Sequence, residues 1–393
     1  MRAHKIELRP NNKQKTYFAK ACGVARFSYN WALNEWQQEY KAGGKPTEVA
    51  LRRKLNSIKA KEFPWMLEVT KNAPQMAIIQ LGQAFNNFFA KRTSHPTFRK
   101  KGVHDRFTLT NDQFAVNASR IRIPCLGWVR MRESLRFEGK MLSATISRCA
   151  DKWFVSITVD ILNPLFTKAN ENQVAVGVDL GLTQFATLST GEMIEGPKPH
   201  KAKLNRLKRL SRSLSRKQKG SANRNKARMK LARLHRQIAD IRSDAIHQLT
   251  TRLTNNFATI AIEDLHVKGM VRNRRLARSV ADMGFHEFRR QLEYKVAIRN
   301  KTLVVADRWF ASSKLCSVCE FKNTDLLLST REWQCIKCNT QHHRDVNAAK
   351  NLAKLAVSFT VSACGASTGG AIASAMASHG AMKQESNAKV IYG

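Results

Sequence analysis

The nine residues Val174-Ala175-Val176-Gly177-Val178-Asp179-Leu180-Gly181-Leu182 constrain this chain more than any other stretch. They run apolar through Val178, meet one carboxylate and break at Gly181, the pattern of a buried strand that delivers a single acid to its end. Asp179 is thereby expected at the edge of a sheet, held by a rigid element. Ala258-Thr259-Ile260-Ala261-Ile262 ends the same way at Glu263-Asp264, and a further acid, Asp345, follows in His342-His343-Arg344-Asp345-Val346-Asn347-Ala348-Ala349. Asp179, Glu263 and Asp345 are candidates for one metal site. Phosphodiester cleavage calls for such a cluster, because two divalent ions about 3.5–4 Å apart clamp the attacking and the leaving oxygen. For a lone acid before a helix, such as Asp345, N-capping is the ordinary explanation. The case for catalysis rests on the three acids jointly.

The partner class follows from charge. The 393 residues hold 68 Lys and Arg against 29 Asp and Glu, a formal charge of +39, while the hydrophobic content is an ordinary 43%. That is a folded, multidomain protein with basic surfaces and not a disordered tail. Such a surface points to nucleic acid. An anionic membrane is the other partner of a basic protein, but no apolar run of about 18 residues and no lipidation or secretory signal is seen. Cys22, Cys125, Cys149 and Cys364 are scattered without a disulfide spacing, which suits a reducing cytosol.

In chain order, Lys5–Arg9 reads as a short strand, and Asn11 with Gln14 forms a capping box that opens a helix carrying Phe18, Ala21, Val24, Ala25, Phe27 and Trp31. Further helices follow around Leu51–Ile58 and from Asn72 through Phe89, and their aromatics read as bundle core. Past Ser94-His95-Pro96 the period changes to two, in Phe107/Leu109, Phe114/Val116, Ile121/Ile123, Leu142/Ala144/Ile146 and Trp153/Val155/Ile157/Val159. This is a small antiparallel barrel, with which the lone first strand is expected to pair, making the helices an insertion. Residues 163–172 read as a linker.

A second short strand, 184–188, precedes the most basic segment, Lys201–Arg236, which contains no acid. Leu204, Leu207, Leu210 and Leu214, then Leu231, Leu234, Ile238, Ile241, Ala245, Leu249 and Leu253, give two stripes of a helical hairpin, apolar inside and cationic outside. Without acids the i,i+4 pairs that stabilise a solvated helix cannot form, so a polyanion is the expected partner. A helix with Phe285, Phe288, Leu292 and Val296, a strand at Thr302–Ala306 and a small-residue helix after Asp345 complete an α/β layer pattern. From Ser358 the chain turns to Ser, Ala, Gly and Thr and is expected to be mobile.

Cys316-Ser317-Val318-Cys319 and Cys335-Ile336-Lys337-Cys338 have the spacing of a four-cysteine zinc ribbon. A redox role has no rationale for two such pairs. Four thiolates close the site to water, so the zinc is structural, and His342 and His343 are surplus to it. Glu320 and Asn339 stand where a knuckle turn favours glycine; Asn tolerates the left-handed region, Glu does so poorly.

Gly-Val-Asp-Leu-Gly-Leu at 177–182, Ile-Glu-Asp-Leu at 262–265, Ser-Ser-Lys-Leu-Cys-Ser-Val-Cys at 312–319, Arg-Glu-Trp-Gln-Cys at 331–335 and Arg-Asp-Val-Asn-Ala-Ala at 344–349 together resemble the TnpB (OrfB) family of insertion sequences. The resemblance covers nearly the whole chain. It implies an α/β, RNase H-like (RuvC-type) nuclease domain over 172–357, containing the basic hairpin 201–256 and a zinc ribbon at 312–342. It also implies an oligonucleotide-binding-like β-barrel (the wedge, 1–10 and 96–165) carrying an inserted α-helical recognition domain (11–95), and a flexible tail at 358–393. The activity implied is RNA-guided DNA cleavage beside a short flanking motif, with a guide RNA from the transposon end and double-stranded target DNA as partners, in the prokaryotic cytoplasm. The acidic triad falls on Asp179, Glu263 and Asp345 with Mg²⁺, and the Zn²⁺ ligands on Cys316, Cys319, Cys335 and Cys338. His343 stands where the family usually has Asp, and the knuckle glycines are absent. A nuclease-inactive RNA-guided DNA-binding regulator would use the same architecture, and an accessory transposase, which would need strand-transfer machinery, is the other alternative; three converging carboxylates favour cleavage.

Overall fold

The computed structural model describes residues 1–161, 175–327, 329–365 and 388–391, in two compact units, Met1–Asn163 and Pro164–Gly393. The first unit opens with β1 (Arg2–Leu8), followed by α1 (Asn12–Lys41), α2 (Glu48–Glu62) and α3 (Asn72–Phe89). The capping box forms: the Asn11 side chain accepts from the Gln14 N–H at 2.9 Å, and the Gln14 side chain accepts from the Asn11 N–H at 3.0 Å. Phe18 and Phe85 are buried, whereas Phe89 is 63% exposed.

Short strands follow: β2 (Arg106–Thr110), β3 (Ala115–Asn117), β4 (Arg120–Ile123), β5 (Gly127–Arg130), β6 (Lys140–Cys149) and β7 (Lys152–Asp160). They form two sheets, of order β1-β7-β6-β2 and β3-β4-β5. The first strand pairs antiparallel along its whole length with β7, placing Ile6 against Val155 and Leu8 against Trp153. A bridge between Leu8 and Met131 ties the two sheets together, flanked by backbone bonds from Arg9 to Arg130 and from Arg132 to Glu7. Phe18 packs its ring against Phe107 and Trp153, so helix and sheet share one core.

In the second unit β8 (Ala175–Leu180), β9 (Ala186–Leu188) and β10 (Met193–Ile194) precede α4 (Pro199–Ala202), α5 (Leu204–Ser215) and α6 (Ala222–Asn256). Then come β11 (Thr259–Glu263), α7 (Val267–Arg272), α8 (Ala277–Met283), α9 (Phe285–Arg299) and β12 (Thr302–Ala306). Two short strands, β13 (Glu332–Gln334) and β14 (Gln341–His343), lead into α10 (Arg344–Gly365), and β15 (Ala388–Ile391) closes the set. The sheet order is β10-β9-β8-β11-β12-β15, with β8, β11 and β12 parallel and the others antiparallel.

The two-residue period sorts the side chains of the parallel strands. Val176, Val178, Ile260, Ile262, Leu303 and Val305 join Leu249, Leu253, Phe285, Phe288 and Leu292 from α6 and α9. Ala175, Ala261, Val304 and Ala306 face the other way and pack with Leu352 and Ala356 of α10. That second face is lined by small residues, and Gly177 is the extreme. A Cβ built there would lie 1.9 Å from the Ala349 carbonyl oxygen and 2.5 Å from the Ala353 nitrogen. The helix backbone thus rests on β8 where only a glycine leaves room.

The hairpin of α5 and α6 has its own small core of Leu207, Leu234 and Ile238, with Leu210 and Leu231 beside it. Its turn is closed by the Arg224 guanidinium, which donates to the carbonyls of Leu214 and Lys217. The expected stripe fails at Ile241, which is exposed, because α6 leaves α5 there and turns its later face, from Ile246 onward, to the sheet core.

The carboxy-terminal expectation is corrected in part. The helix after Asp345 does not end near 357 but continues to Gly365, and Ala388–Ile391 pairs antiparallel with β12. A strand edge left open on β12 offers backbone partners to Ala388–Ile391. The rest of the tail, 366–387 and 392–393, and the linker at 163–172 from residue 163 on lie outside the described residues. Among the described residues no helix is long and apolar enough to cross a membrane.

Candidate active site and metal centre

Parallel register fixes the first two acids. Gly177 of β8 is paired with Ala261 of β11, and both face α10; two residues on, Asp179 and Glu263 emerge on that same face at the carboxyl ends of adjacent strands. Asp345 lies in the first turn of α10, which rests on this face. Glu263 and Asp345 both act electrostatically on Asp179. Burial raises the Asp179 carboxyl well above its ordinary range, and the charges of Glu263 and then Asp345 push it further up. Burial likewise raises Glu263, against the pull of a hydrogen bond from Ser312 and of the Arg344 guanidinium.

Three supporting residues escaped the sequence reading. Ser312, just beyond β12, donates its hydroxyl to Glu263. Arg331, on the approach to β13, reaches Asp345 at 3.1 Å. Arg344 is buried, donates to the Leu327 carbonyl and the Ser313 hydroxyl, and stands close enough to Asp179 and Glu263 to lower both. All three lie in the quoted blocks around the cysteines and Asp345, but no periodicity gives their direction. Asp264, by contrast, turns to the α9 face, where Arg289 and Arg308 bind its two oxygens. His343 lies in β14 opposite Glu332, and its buried Nδ1 has no hydrogen-bond partner.

The four cysteines meet. Their sulfurs all lie within 4.8 Å of one another, with Cys316 and Cys338 3.6 Å apart and Cys319 and Cys335 3.5 Å apart. A tetrahedron with metal–sulfur bonds of about 2.3 Å has edges of about 3.8 Å, so the set fits zinc. Each pair sits in a tight knuckle: the Glu320 N–H returns to the Cys316 carbonyl at 2.9 Å and the Asn339 N–H to the Cys335 carbonyl at 2.8 Å. Glu320 (φ 62°) and Asn339 (φ 56°) both adopt the left-handed conformation that the missing glycines would have taken without strain. The Thr340 hydroxyl beside Cys338 helps hold that thiol down to about 6. His342, not a member of the set, is buried with its Nε2 3.0 Å from the Cys316 sulfur and its ring against Trp333.

This module hangs from α10. Asn347, fully buried, accepts from the Ser317 N–H at 2.8 Å and donates to the Leu315 carbonyl at 2.6 Å. One turn on, Asn351 donates to the carbonyls of Ser312 and Leu315. The helix that begins with Asp345 therefore also holds the first knuckle.

The fold is that of the Cas12 effectors. A solved Cas12f1 complex with single guide RNA and target DNA aligns over 86% of this chain and 83% of its own, with a TM-score of 0.53 at 15% identity. In sequence, residues 154–274 match the OrfB family of IS605 elements, described as "Probable transposase". Residues 285–352 match the Cas12f1-like TNB domain, and residues 1–45 a helix-turn-helix domain of the same OrfB group. A relative in Streptomyces pristinaespiralis, named "Putative RNA-guided DNA endonuclease", is 38% identical over 93% of this chain and 91% of its own length. The InsQ protein of Escherichia coli K12, which bears the same description, is 33% identical over 93% and 94%. The chain belongs to the OrfB (TnpB) family.

Proposed function

We propose that this protein is an RNA-guided DNA endonuclease encoded by a transposable element, and that it cuts at a RuvC-type centre formed by Asp179, Glu263 and Asp345. The observation that carries the reading is the convergence of three carboxylates, two of them half-buried and raised by desolvation, on one face of a parallel sheet. Such a cluster is destabilising without a cation, and a divalent one would offset it. Magnesium ions held there would supply the clamp on the attacking and leaving oxygens of the phosphodiester. Around that clamp the protein's own groups set the geometry: Ser312 orients Glu263, Arg331 holds Asp345, and Arg344 offsets part of the negative charge.

Cys316, Cys319, Cys335 and Cys338 would hold a structural zinc that supplies the folding free energy so small a module lacks. The first unit, with helices inserted after its first strand, supports the reading of an oligonucleotide-binding-like wedge with a helical recognition domain. In this scheme base pairing to the guide reads the target, and protein reads only a short flanking motif. The acid-free hairpin of α5 and α6 is the strongest candidate for guide contact.

RNA that co-purifies with the protein is to be sequenced, and the complex reprogrammed against a matched duplex. Cleavage in Mg²⁺, none in EDTA, and an Asp179→Ala protein that binds RNA and target but does not cut are the expected results. An active Asp179→Ala protein, or wild type carrying no RNA, would refute the reading.

A further inference from the structure

Trp309 is the most exposed large apolar side chain among the described residues, at 86%. An indole so placed forgoes most of the burial that makes tryptophan a core residue, while its neighbours are fixed. Arg308 binds Asp264 at 2.9 Å, and Phe310 packs beneath α10 with Ala306 and Leu352. The turn itself is rigid: the Asp307 carboxylate accepts from the Trp309 N–H at 2.8 Å, and the Asp307 carbonyl accepts from the Phe310 N–H at 3.0 Å. The ring therefore projects into solvent from a backbone that is held.

The position of that turn gives the ring its context. Ala306, which ends β12, is in register with Glu263, and Ser312 donates to the Glu263 carboxylate. Trp309 is at the midpoint of the loop between them. Three residues span at most about 10 Å, so the Trp309 backbone lies within about 10 Å of both Ala306 and Ser312, and the indole within several nucleotides of a phosphate at the carboxylates.

We propose that Trp309 is the stacking platform for one nucleobase of the DNA strand being cleaved, within several nucleotides of the cut. The inference rests on Asp179, Glu263 and Asp345 being the cleavage site. An aromatic face accepts any base, so the platform would position the strand without adding sequence preference, as cleavage set by a guide requires.

The guide-loaded complex is to be mixed, without divalent metal, with single-stranded target DNA carrying 2-aminopurine at successive positions around the cut. Quenching is expected at one position, lost in Trp309→Ala and retained in Trp309→Phe. With Mg²⁺ restored, Trp309→Ala should lower kcat/KM for the strand by about 10- to 100-fold. An abasic nucleotide at the quenched position should cost wild type the same and cost Trp309→Ala little more. Guide RNA affinity should not change. Equal quenching in both proteins, additive losses, or a fall in RNA affinity parallel to the fall in cleavage would each overturn the proposal, the last by assigning the platform to the guide. The metal-free quenching does not depend on catalysis. Position-specific quenching with an inactive wild type would fault the assignment of the acids and not the platform.

Discussion

Gly177→Ala is the most incisive single-atom test of the nuclease unit. The added methyl would have to clear the Ala349 carbonyl at 1.9 Å and the Ala353 nitrogen at 2.5 Å, both helix backbone and neither able to swing aside. Restoring ordinary contact near 3.4 Å moves α10 away from β8 by about 1.5 Å. Overpacking costs about 1–3 kcal/mol where side chains can adjust, and here the upper end applies because they cannot. For a unit of this size about 3 kcal/mol lowers Tm by roughly 6–12 °C. The displacement also separates Asp345 from Asp179, and about 1 Å of misplacement costs on the order of 100-fold in rate. Calorimetry and single-turnover cleavage, run well below the mutant Tm, measure the two effects separately. Gly23→Ala, with nothing within 4 Å of the new atom and a helical site, is the control and should stabilise by about 0.5–1 kcal/mol. A Gly177→Ala protein with wild-type Tm and rate would refute the argument that the helix rests on bare backbone.

Asn347→Leu should leave the buried Ser317 N–H without a partner while the Leu315 carbonyl keeps its bond from Asn351, costing about 1–3 kcal/mol, and should lower zinc retention in a chelator challenge more than it lowers the Tm of the sheet. Lys295 is buried in α9 against Thr250, Thr251 and the His247 carbonyl, and burial lowers its ammonium to about 8. Between that value and the unfolded value near 10.4 the native state holds fewer protons than the unfolded chain. Stability should therefore rise with pH across that window, by on the order of 3 kcal/mol, and be lost as pH falls through 8. Denaturant midpoints of Lys295→Met should show a flatter pH dependence than wild type. In the hairpin, Arg209, Arg216 and Lys219 are exposed, and replacing each by Glu should reduce the log–log salt slope of guide RNA binding by about 0.7; an unchanged slope would move the RNA contact elsewhere.

Much of the site could be read from the chain because short range decided it. Asp179 and Glu263 each end an apolar strand, and a two-residue period then fixes which face they share. The knuckles were equally plain, since cysteine spacing is local and even the strained φ at Glu320 follows from the missing glycine. What the sequence hid was tertiary. Arg344 and Ser312 look like ordinary polar residues until the loop after β12 folds back on Glu263, and the strand at Ala388–Ile391 has no pattern apart from the edge of β12 that it covers. Ile241 misled for the opposite reason: its helical period is correct, but α6 changes partners beneath it.

The thiolate module is spliced between β12 and α10, and both of its anchorages are independent of it: one is a central strand, the other a helix buried on the sheet. Such an insertion can come undone while its host stays folded. Undone, it would withdraw Ser312 from Glu263, Arg331 from Asp345 and the Leu327 carbonyl from Arg344 in one event. Oxidants and chelators that strip zinc from the thiolates would thus disarm the nuclease while sparing the guide binding proposed for the basic hairpin. The module would work as a fuse, leaving behind a protein that still occupies its RNA.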